Sequence, residues 1–582
     1  MAGRQCWYLR RRESSAFVQQ HAELHPLVAK VLHARKIDTP HSIRAFLQDD
    51  DQPGDPSLMA GMDRAVARIR GALEGDEQIV VYGDFDADGV SATVLLVHAL
   101  RALGGRVIPY IPDRFSEAYG LNKAALRRLR QQGASLVVTV DCGIRSAEEV
   151  ACAQAQGLDV IVTDHHSVPG ELPPALAVID PKRSDCPYPF KELAGVGVAH
   201  RLVDALFSSV RSQGMAGSGQ SDLDQDQYLD LVALGTVSDI VPLTGENRIL
   251  VRRGLARMQA APRLGLRALL EIAGVDGHKV DSQAIAFRLG PRVNAAGRLR
   301  SAMLAYDLLA TESADEAQRL SVLLSEINVE RQQLLGHQVE RARELLGDDE
   351  GRRMLVIDDP DFHVGIVGLV ASRLTDEFYR PSLVMRRGRA ATRGSARSIE
   401  GFHITHALDA CSDLLSRYGG HARAGGFSLP SENLGAFRER LESYAAQNLT
   451  EEMLTPHPRV DAIVSLEEIT EDTPAALSRL EPFGQGNPEP ALATAGLRVL
   501  EMRAVGREGR HLRMTVSDGH RSMGGIAFRQ GHRASEFVPG DMIDLIYQPT
   551  QNEWQGRVSL QLVVQAMRRS SEGGVPGSGG QG

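Results

Sequence analysis

Cysteine is scarce in this chain of 582 residues. Five are present (Cys6, Cys142, Cys152, Cys186 and Cys411), an odd number, scattered and never spaced as C-x-x-C. That pattern excludes a disulfide framework and a zinc knuckle, and it fits a reducing compartment. Long apolar runs are missing as well, so nothing reads as a membrane span. The opening "MAGRQCWYLRRRESSAF" has early arginines with no apolar stretch behind them, which is not a secretory signal. There is no excess of positive charge either: the formal net charge is −9. Composition therefore gives no hint of nucleic acid, and any basic surface must be local. These absences point to the cytoplasm.

What is present is an ordinary globular composition, 43% hydrophobic and 24% charged. The length exceeds what one core supports and predicts several domains. "QIVVYGD", "RVIPYIP", "SLVVTVD", "DVIVTDHH" and "LAVID" are short β-branched runs, with helix-like stretches at Val90–Leu103 and Ala147–Gln156. Their alternation predicts a parallel sheet covered on both faces. Residues 211–227 read as a flexible surface loop. From Thr311 to Leu346 the pattern becomes one long helix, with Ser313 and Glu316 as a capping box and Leu320, Ile327 and Leu334 at sevens. It reads as a strut between domains or as a core helix. A second α/β region runs to about Asn448. Beyond Pro456, five short strands with glycine-rich turns suit a small barrel of the OB type. The tail "SSEGGVPGSGGQG" reads as disordered.

Three of the parallel-strand candidates end in acid. One gives Asp84, Asp86 and Asp88, the next Asp141, and the third Asp164, His165 and His166. Ligands gather at the carboxyl ends of strands in open α/β sheets, so these residues can converge. A lone aspartate there is usually a turn former or an N-cap; three coincident strand ends argue for more. Carboxylates with one or two imidazoles make a hard O/N site suited to Mn²⁺ or Mg²⁺. Asp239 in "LGTVSDIVPL" adds another carboxylate, and that many acids predict two cations. "AGVGVAH" (194–200) lacks the third glycine of a dinucleotide fingerprint and reads as helix packing.

"YGDFDADG", "VDCG" and "TDHH" resemble the DHH phosphoesterase superfamily. "GPRVNAAGRL", "GSARS", "GGHARAGGFSL" and "PFGQGNPEP" follow in the order seen in its bacterial single-strand-specific exonucleases. The resemblance implies an α/β multidomain protein: a parallel-sheet DHH domain (61–310) after an N-terminal segment (1–60), then a linking helix (311–346). An α/β DHHA1 domain (347–450), a C-terminal OB-fold β-barrel (456–570) and a disordered tail (571–582) complete it. It implies Mn²⁺- or Mg²⁺-dependent 5′→3′ hydrolysis of single-stranded DNA to mononucleotides in repair and recombination. Asp86, Asp88, Asp141, His165 and Asp239 are the implied metal ligands, with Asp84 a ligand or neighbour. His166 faces the scissile phosphate, and Asp164 orients the histidines. Arg114 in "PDRFSEAYGL" is the implied arginine near a 5′ phosphate, and Arg298, Ser395, Arg397 and His421 line the nucleotide path. A monomer working with a single-strand-binding protein and a helicase is implied too.

The remaining residues bear on a polyanion. "RRGRAATRGSAR" (386–397) holds five arginines, with glycines and a serine that let backbone N–H groups approach a phosphate; it reads equally as a solvated cationic loop. "GGHARAGG" has a backbone that must run close to a ligand or to packed protein; its Ala424, Gly425 and Arg423 depart from the usual double alanine, which predicts slightly altered packing. Phe528, Tyr547 and Trp554 are either base-stacking platforms or barrel core. Two rivals stand beside the exonuclease: a DHH hydrolase of pyrophosphate, cyclic dinucleotides or short oligonucleotides, and a non-catalytic single-strand-binding scaffold.

Overall fold

The computed structural model describes residues 7–48, 52–117, 120–212, 223–347, 351–554 and 557–570. Cys6, residues 213–222 of the expected loop, the tail from 571, and the Trp554 side chain lie outside the described residues. The chain forms two compact units, one of residues 52–454 with 484–486, the other of residues 1–51, 455–483 and 487–582.

In the larger unit five parallel strands stand in the order Arg106–Tyr110, Gln78–Tyr82, Ala134–Thr139, Asp159–Thr163, Ala177–Ile179. Their apolar runs are continuous because both faces are covered. Ile79, Val81, Leu136, Val138 and Ile161 pack into one core, while Val80, Tyr82, Val137, Val160 and Val162 pack into another on the opposite face. The first strand lies between the second and the third. The order of connection therefore reverses beside it, and a crevice opens at the carboxyl ends of the first and third strands.

The helix Ala314–Leu346 starts at Ser313, whose Oγ accepts from the Glu316 backbone N–H at 3.3 Å. Only half of the expected capping box forms, since the Glu316 carboxylate binds Arg319 instead. Leu320, Leu324 and Ile327 join the core under the parallel sheet, whereas Val339, Ala342 and Leu346 join Leu355, Ile357 and Val370 further along. One helix thus belongs to two cores, as a strut does. The second sheet has the order Arg417–His421, Ala424–Pro430, Ala391–Arg397, Ser382–Arg386, Leu355–Asp359, antiparallel except for the last pair.

In the smaller unit Leu492–Val505 pairs with both His511–Ser517 and Met542–Trp554, and Ser522–Ala527 and Arg557–Arg569 complete a closed ring of five strands. Tyr547 is fully buried, its hydroxyl 2.6 Å from Thr494 Oγ1, so it is core and not a stacking platform. Phe528 is exposed, edge-on to His511. The N-terminal segment is built into this unit. Tyr8–Leu9 pairs in parallel with Arg459–Val460, and Phe17, Leu27, Val28 and Leu32 share the core of the barrel. Among the described residues Cys142, Cys152, Cys186 and Cys411 are free thiols, and no helix is long and apolar enough to cross a membrane.

Candidate metal centre

Three strand ends deliver acids to the crevice. After Tyr82 the chain turns tightly into the helix Ala87–Ala102, and Gly89 allows the turn to close: a Cβ there would lie 2.7 Å from the Asp84 backbone. Asp86 caps that helix, its Oδ1 accepting from the N–H groups of Asp88 (3.0 Å) and Gly89 (3.1 Å). Asp88 is buried, and its two oxygens accept from Gly195 N–H (2.7 Å) and Val196 N–H (2.9 Å). The "AGVGVAH" segment is therefore more than helix packing: it is the amino end of the helix Gly195–Ser212, and that end holds a carboxylate of the site. Asp141 follows the third strand in a left-handed conformation (φ 60°), which aspartate tolerates better than most residues. Asp239 ends the helix Leu229–Ser238.

These side chains meet. His165 Nε2 lies 3.0 Å from Asp141 Oδ1, 3.6 Å from Asp239 Oδ2 and 4.0 Å from Asp88 Oδ2. Asp84, Asp86 and Asp141 offer ligand atoms within 4.8 Å of one another, as do Asp88, His165 and Asp239, and Asp141, His165 and His166. Asp164 plays another part. Its Oδ1 accepts from His165 N–H (2.7 Å), His166 N–H (3.1 Å) and His166 Nδ1 (2.7 Å), and its Oδ2 from Ile144 N–H (2.9 Å).

Burial and then the Asp86 charge push Asp84 up to about 8 and Asp88 up to about 7. Burial, then the neighbouring carboxylates, hold Asp141 and Asp239 well above the usual range. Burial, then His166, keeps His165 neutral far below its ordinary value. Burial works against the His166 imidazolium too, but the charge and hydrogen bond of Asp164, with Asp239 and Asp84, outweigh it and raise His166 to about 9. Asp84 Oδ1 and His165 Nδ1 are buried with no hydrogen-bond partner among the described residues. Crowded carboxylates, a neutral imidazole and orphaned polar atoms are what hard divalent cations relieve, and two separate triads fit two of them.

Beside this cluster sit three arginines. Arg114 stacks 3.8 Å over the Phe85 ring and donates to Gly297 O at 3.0 Å. Arg298 donates to Gly365 O at 3.2 Å, and Arg397 to Ala396 O. Gly368 makes room for this group: a Cβ there would stand 3.0 Å from Arg397 Nη2 and 3.3 Å from Ser395 Oγ. Among the described residues none of the three arginines has a carboxylate within 4.0 Å. Burial, then Arg114 and Arg397, pull Arg298 down to about 9. His421 reaches the centre from the second sheet, with Nδ1 3.2 Å from Ser167 Oγ and its ring 6.0 Å from that of His166.

The arginine-rich tract divides. Ala391–Arg397 is a strand paired on both sides, so its backbone N–H groups belong to the ladder and are not free for a phosphate. Arg393 lies opposite Arg386, Arg387 pairs with Asp358 at 3.4 Å, and Arg397 alone joins Arg298. In "GGHARAGG", Gly419 and Gly426 stand opposite each other with open space where their Cβ atoms would be, and the departing Arg423 sits at an exposed hairpin turn. Two groups were missed in the sequence. Asn294 accepts from Ala87 N–H at 2.8 Å. Asp180, ending a fourth strand, has a buried Oδ2 with no partner among the described residues. Only Asp180 carried a signal, the acid that closes "LAVID".

Family models match at residues 78–236 (DHH family, N-terminal domain), 351–447 (DHHA1 domain) and 460–566 (RecJ OB domain). The chain is 38% identical over 571 residues to the single-stranded-DNA-specific exonuclease RecJ of Bacillus subtilis, covering 97% of this chain and 71% of that protein. It is similar in structure to Thermus thermophilus RecJ in complex with Mn²⁺ (TM-score 0.83, 32% identity, 98% of this chain and 80% of that one). The same protein in complex with Mg²⁺ matches with a TM-score of 0.77 and 30% identity, over 98% of this chain and 79% of that one.

Proposed function

The chain belongs to the RecJ family of single-stranded-DNA-specific exonucleases, and on that premise we propose that it removes mononucleotides from the 5′ end of single-stranded DNA, in repair and recombination. The observation that carries this reading is the pairing of a carboxylate–imidazole cluster with arginines that, among the described residues, have no carboxylate of their own. Asp84, Asp86, Asp88, Asp141, His165 and Asp239 hold Mn²⁺ or Mg²⁺. When bound, the cations supply Lewis acidity and offset the charge that develops on the phosphoryl oxygens.

The protein's own groups do the rest. Arg114, Arg298 and Arg397, with Ser395, hold the 5′ phosphate, where guanidinium forks match phosphate oxygens. Asp164 fixes the His166 ring through Nδ1, which leaves Nε2–H to face a phosphoryl oxygen; a positive imidazolium there stabilises the transition state more than the ground state. His421 borders the same space. Asp164, whose oxygens accept four hydrogen bonds, acts as a positioning residue. We place the enzyme in the cytoplasm as a monomer that works with a single-strand-binding protein and a helicase, which the free thiols and the family resemblance support.

The experiment is a time course on single-stranded DNA with Mn²⁺, labelled at the 5′ or the 3′ end, beside a blunt duplex. Immediate release of the 5′ label as mononucleotide, gradual shortening of the 3′-labelled strand and a spared duplex are expected. Intact strands with hydrolysis of dinucleotides would overturn the long-strand reading.

A further inference from the structure

Asp239 differs from the other proposed ligands in how it is placed. Asp84, Asp86, Asp88, Asp141 and His165 follow strands of the parallel sheet, whereas Asp239 ends the helix Leu229–Ser238, its N–H donating to Gly235 O at 2.9 Å. Its direction is therefore set by the turn that comes after it. Ile240 makes that turn in a left-handed conformation (φ 63°). Helices commonly close on such a residue, but it is ordinarily glycine, and a β-branched side chain there is strained. Burial gives nothing back, since Ile240 is 70% exposed. Strain of this kind persists only where the surroundings impose it.

Two contacts impose it. Pro242 O accepts from Nδ2 of the fully buried Asn247 at 3.0 Å, and Leu243 N–H donates to Gln485 O at 2.7 Å. The residues on either side of Gln485 close on the same segment. Gly486 is left-handed (φ 74°), and a Cβ there would lie 3.0 Å from the Pro242 Cβ; a Cβ on Gly484 would lie 2.8 Å from Leu243 Cδ1. These three residues come from "PFGQGNPEP", and they belong to the larger unit although the chain before and after them belongs to the smaller.

We infer that Gly484–Gly486 is a positioning element for Asp239: it clamps Pro242 and Leu243, and the strained turn at Ile240 then holds the carboxylate toward the cation shared with Asp88 and His165. This rests on the reading that Asp239 is a metal ligand. Asp239 Oδ2 is 3.6 Å from His165 Nε2, so a relaxed turn draws it out of that triad. The triad of Asp84, Asp86 and Asp141 contains no residue of the turn. Release of the clamp therefore weakens one cation and spares the other.

The test counts Mn²⁺ bound to the full chain without DNA, from the electron paramagnetic resonance signal of the free ion. The unaltered protein should bind two ions. Gly486→Ala should weaken one of them about tenfold, the scale for losing a group that orients a ligand, and leave the other unchanged. Gly484→Ala presses only on the Leu243 side chain and should shift the same ion by less. Gly274→Ala is the control: its backbone is left-handed too (φ 62°), with open space around its Cβ, and both affinities should stay as they are. Equal weakening of both ions, no weakening in either Gly484→Ala or Gly486→Ala, or the same loss in Gly274→Ala overturns the inference and leaves 484–486 a packing contact. Asp239→Asn separates the two readings. If it weakens neither ion, the ligand assignment fails first; if it weakens one ion while Gly486→Ala weakens none, only the clamp fails.

Discussion

Gly195 stands so close to Asp141 that a Cβ built on the glycine would lie 2.6 Å from the Asp141 Cβ. The same glycine gives its N–H to Asp88. One residue without a side chain thus sets the spacing between the acids of two strand ends. Gly195→Ala should lower kcat by about a hundredfold, the scale of a displacement near 1 Å at a reacting centre. Gly197→Ala is the control, since its Cβ would meet only the Leu193 side chain. Equal kcat values for the two variants would separate Asp141 from this spacing.

Asp141 itself is buried in a left-handed backbone conformation beside His165. Asp141→Ala should abolish cleavage while single-strand binding persists, measured by end-labelled turnover and by fluorescence anisotropy. Normal turnover would remove Asp141 from the metal assignment.

Arg298 is a cation repelled by Arg114 and Arg397, with a backbone carbonyl as its hydrogen-bond partner. Arg298→Met should raise KM for single-stranded DNA at least tenfold, the loss of roughly one charged hydrogen bond. The same change should raise the unfolding free energy by about 1 kcal/mol, as expected where a site is strained for function. Denaturant unfolding beside KM checks both, and a loss of stability would show that Arg298 is structural.

The raised carboxyls predict a pH effect with a definite sign. Asp84 and Asp88 sit at about 8 and about 7 in the folded chain, against an ordinary 3.8. The folded state thus holds protons that the unfolded state releases. Their contribution to stability is whole below the unfolded value and is lost as pH rises from about 4 through 7 and 8. In chelator the melting temperature should fall across that window. Mn²⁺ at one fixed concentration, a hundredfold its Kd at the alkaline end of that window, should add roughly 2.7 kcal/mol there and less toward the acid end. A stabilisation independent of pH would mean that these carboxyls do not meet the cation.

The strand ends were legible because a buried parallel strand must be apolar throughout, so an acid after Tyr82, Val140 or Thr163 marks where it stops. The amino end of Gly195–Ser212 was not legible, because a backbone N–H has no letter of its own. Tyr547 was left open between platform and core because inward and outward positions of a barrel strand carry the same residue types, and only closure of the ring decides between them. Arg298 and Arg397 share a chemistry with many surface arginines. What distinguishes them is that no carboxylate among the described residues lies within 4.0 Å of them, which is a fact about neighbours that no local stretch contains.

The parallel pairing of Tyr8–Leu9 with Arg459–Val460 bears on how the protein is made. Helices carrying Phe17, Leu27 and Leu32 leave the ribosome before the barrel strands that complete their core. At ~5–20 residues per second the gap is on the order of tens of seconds, during which an apolar surface has no native cover. The residues of the other unit are synthesised within that interval. The barrel core therefore closes only after both segments have been made.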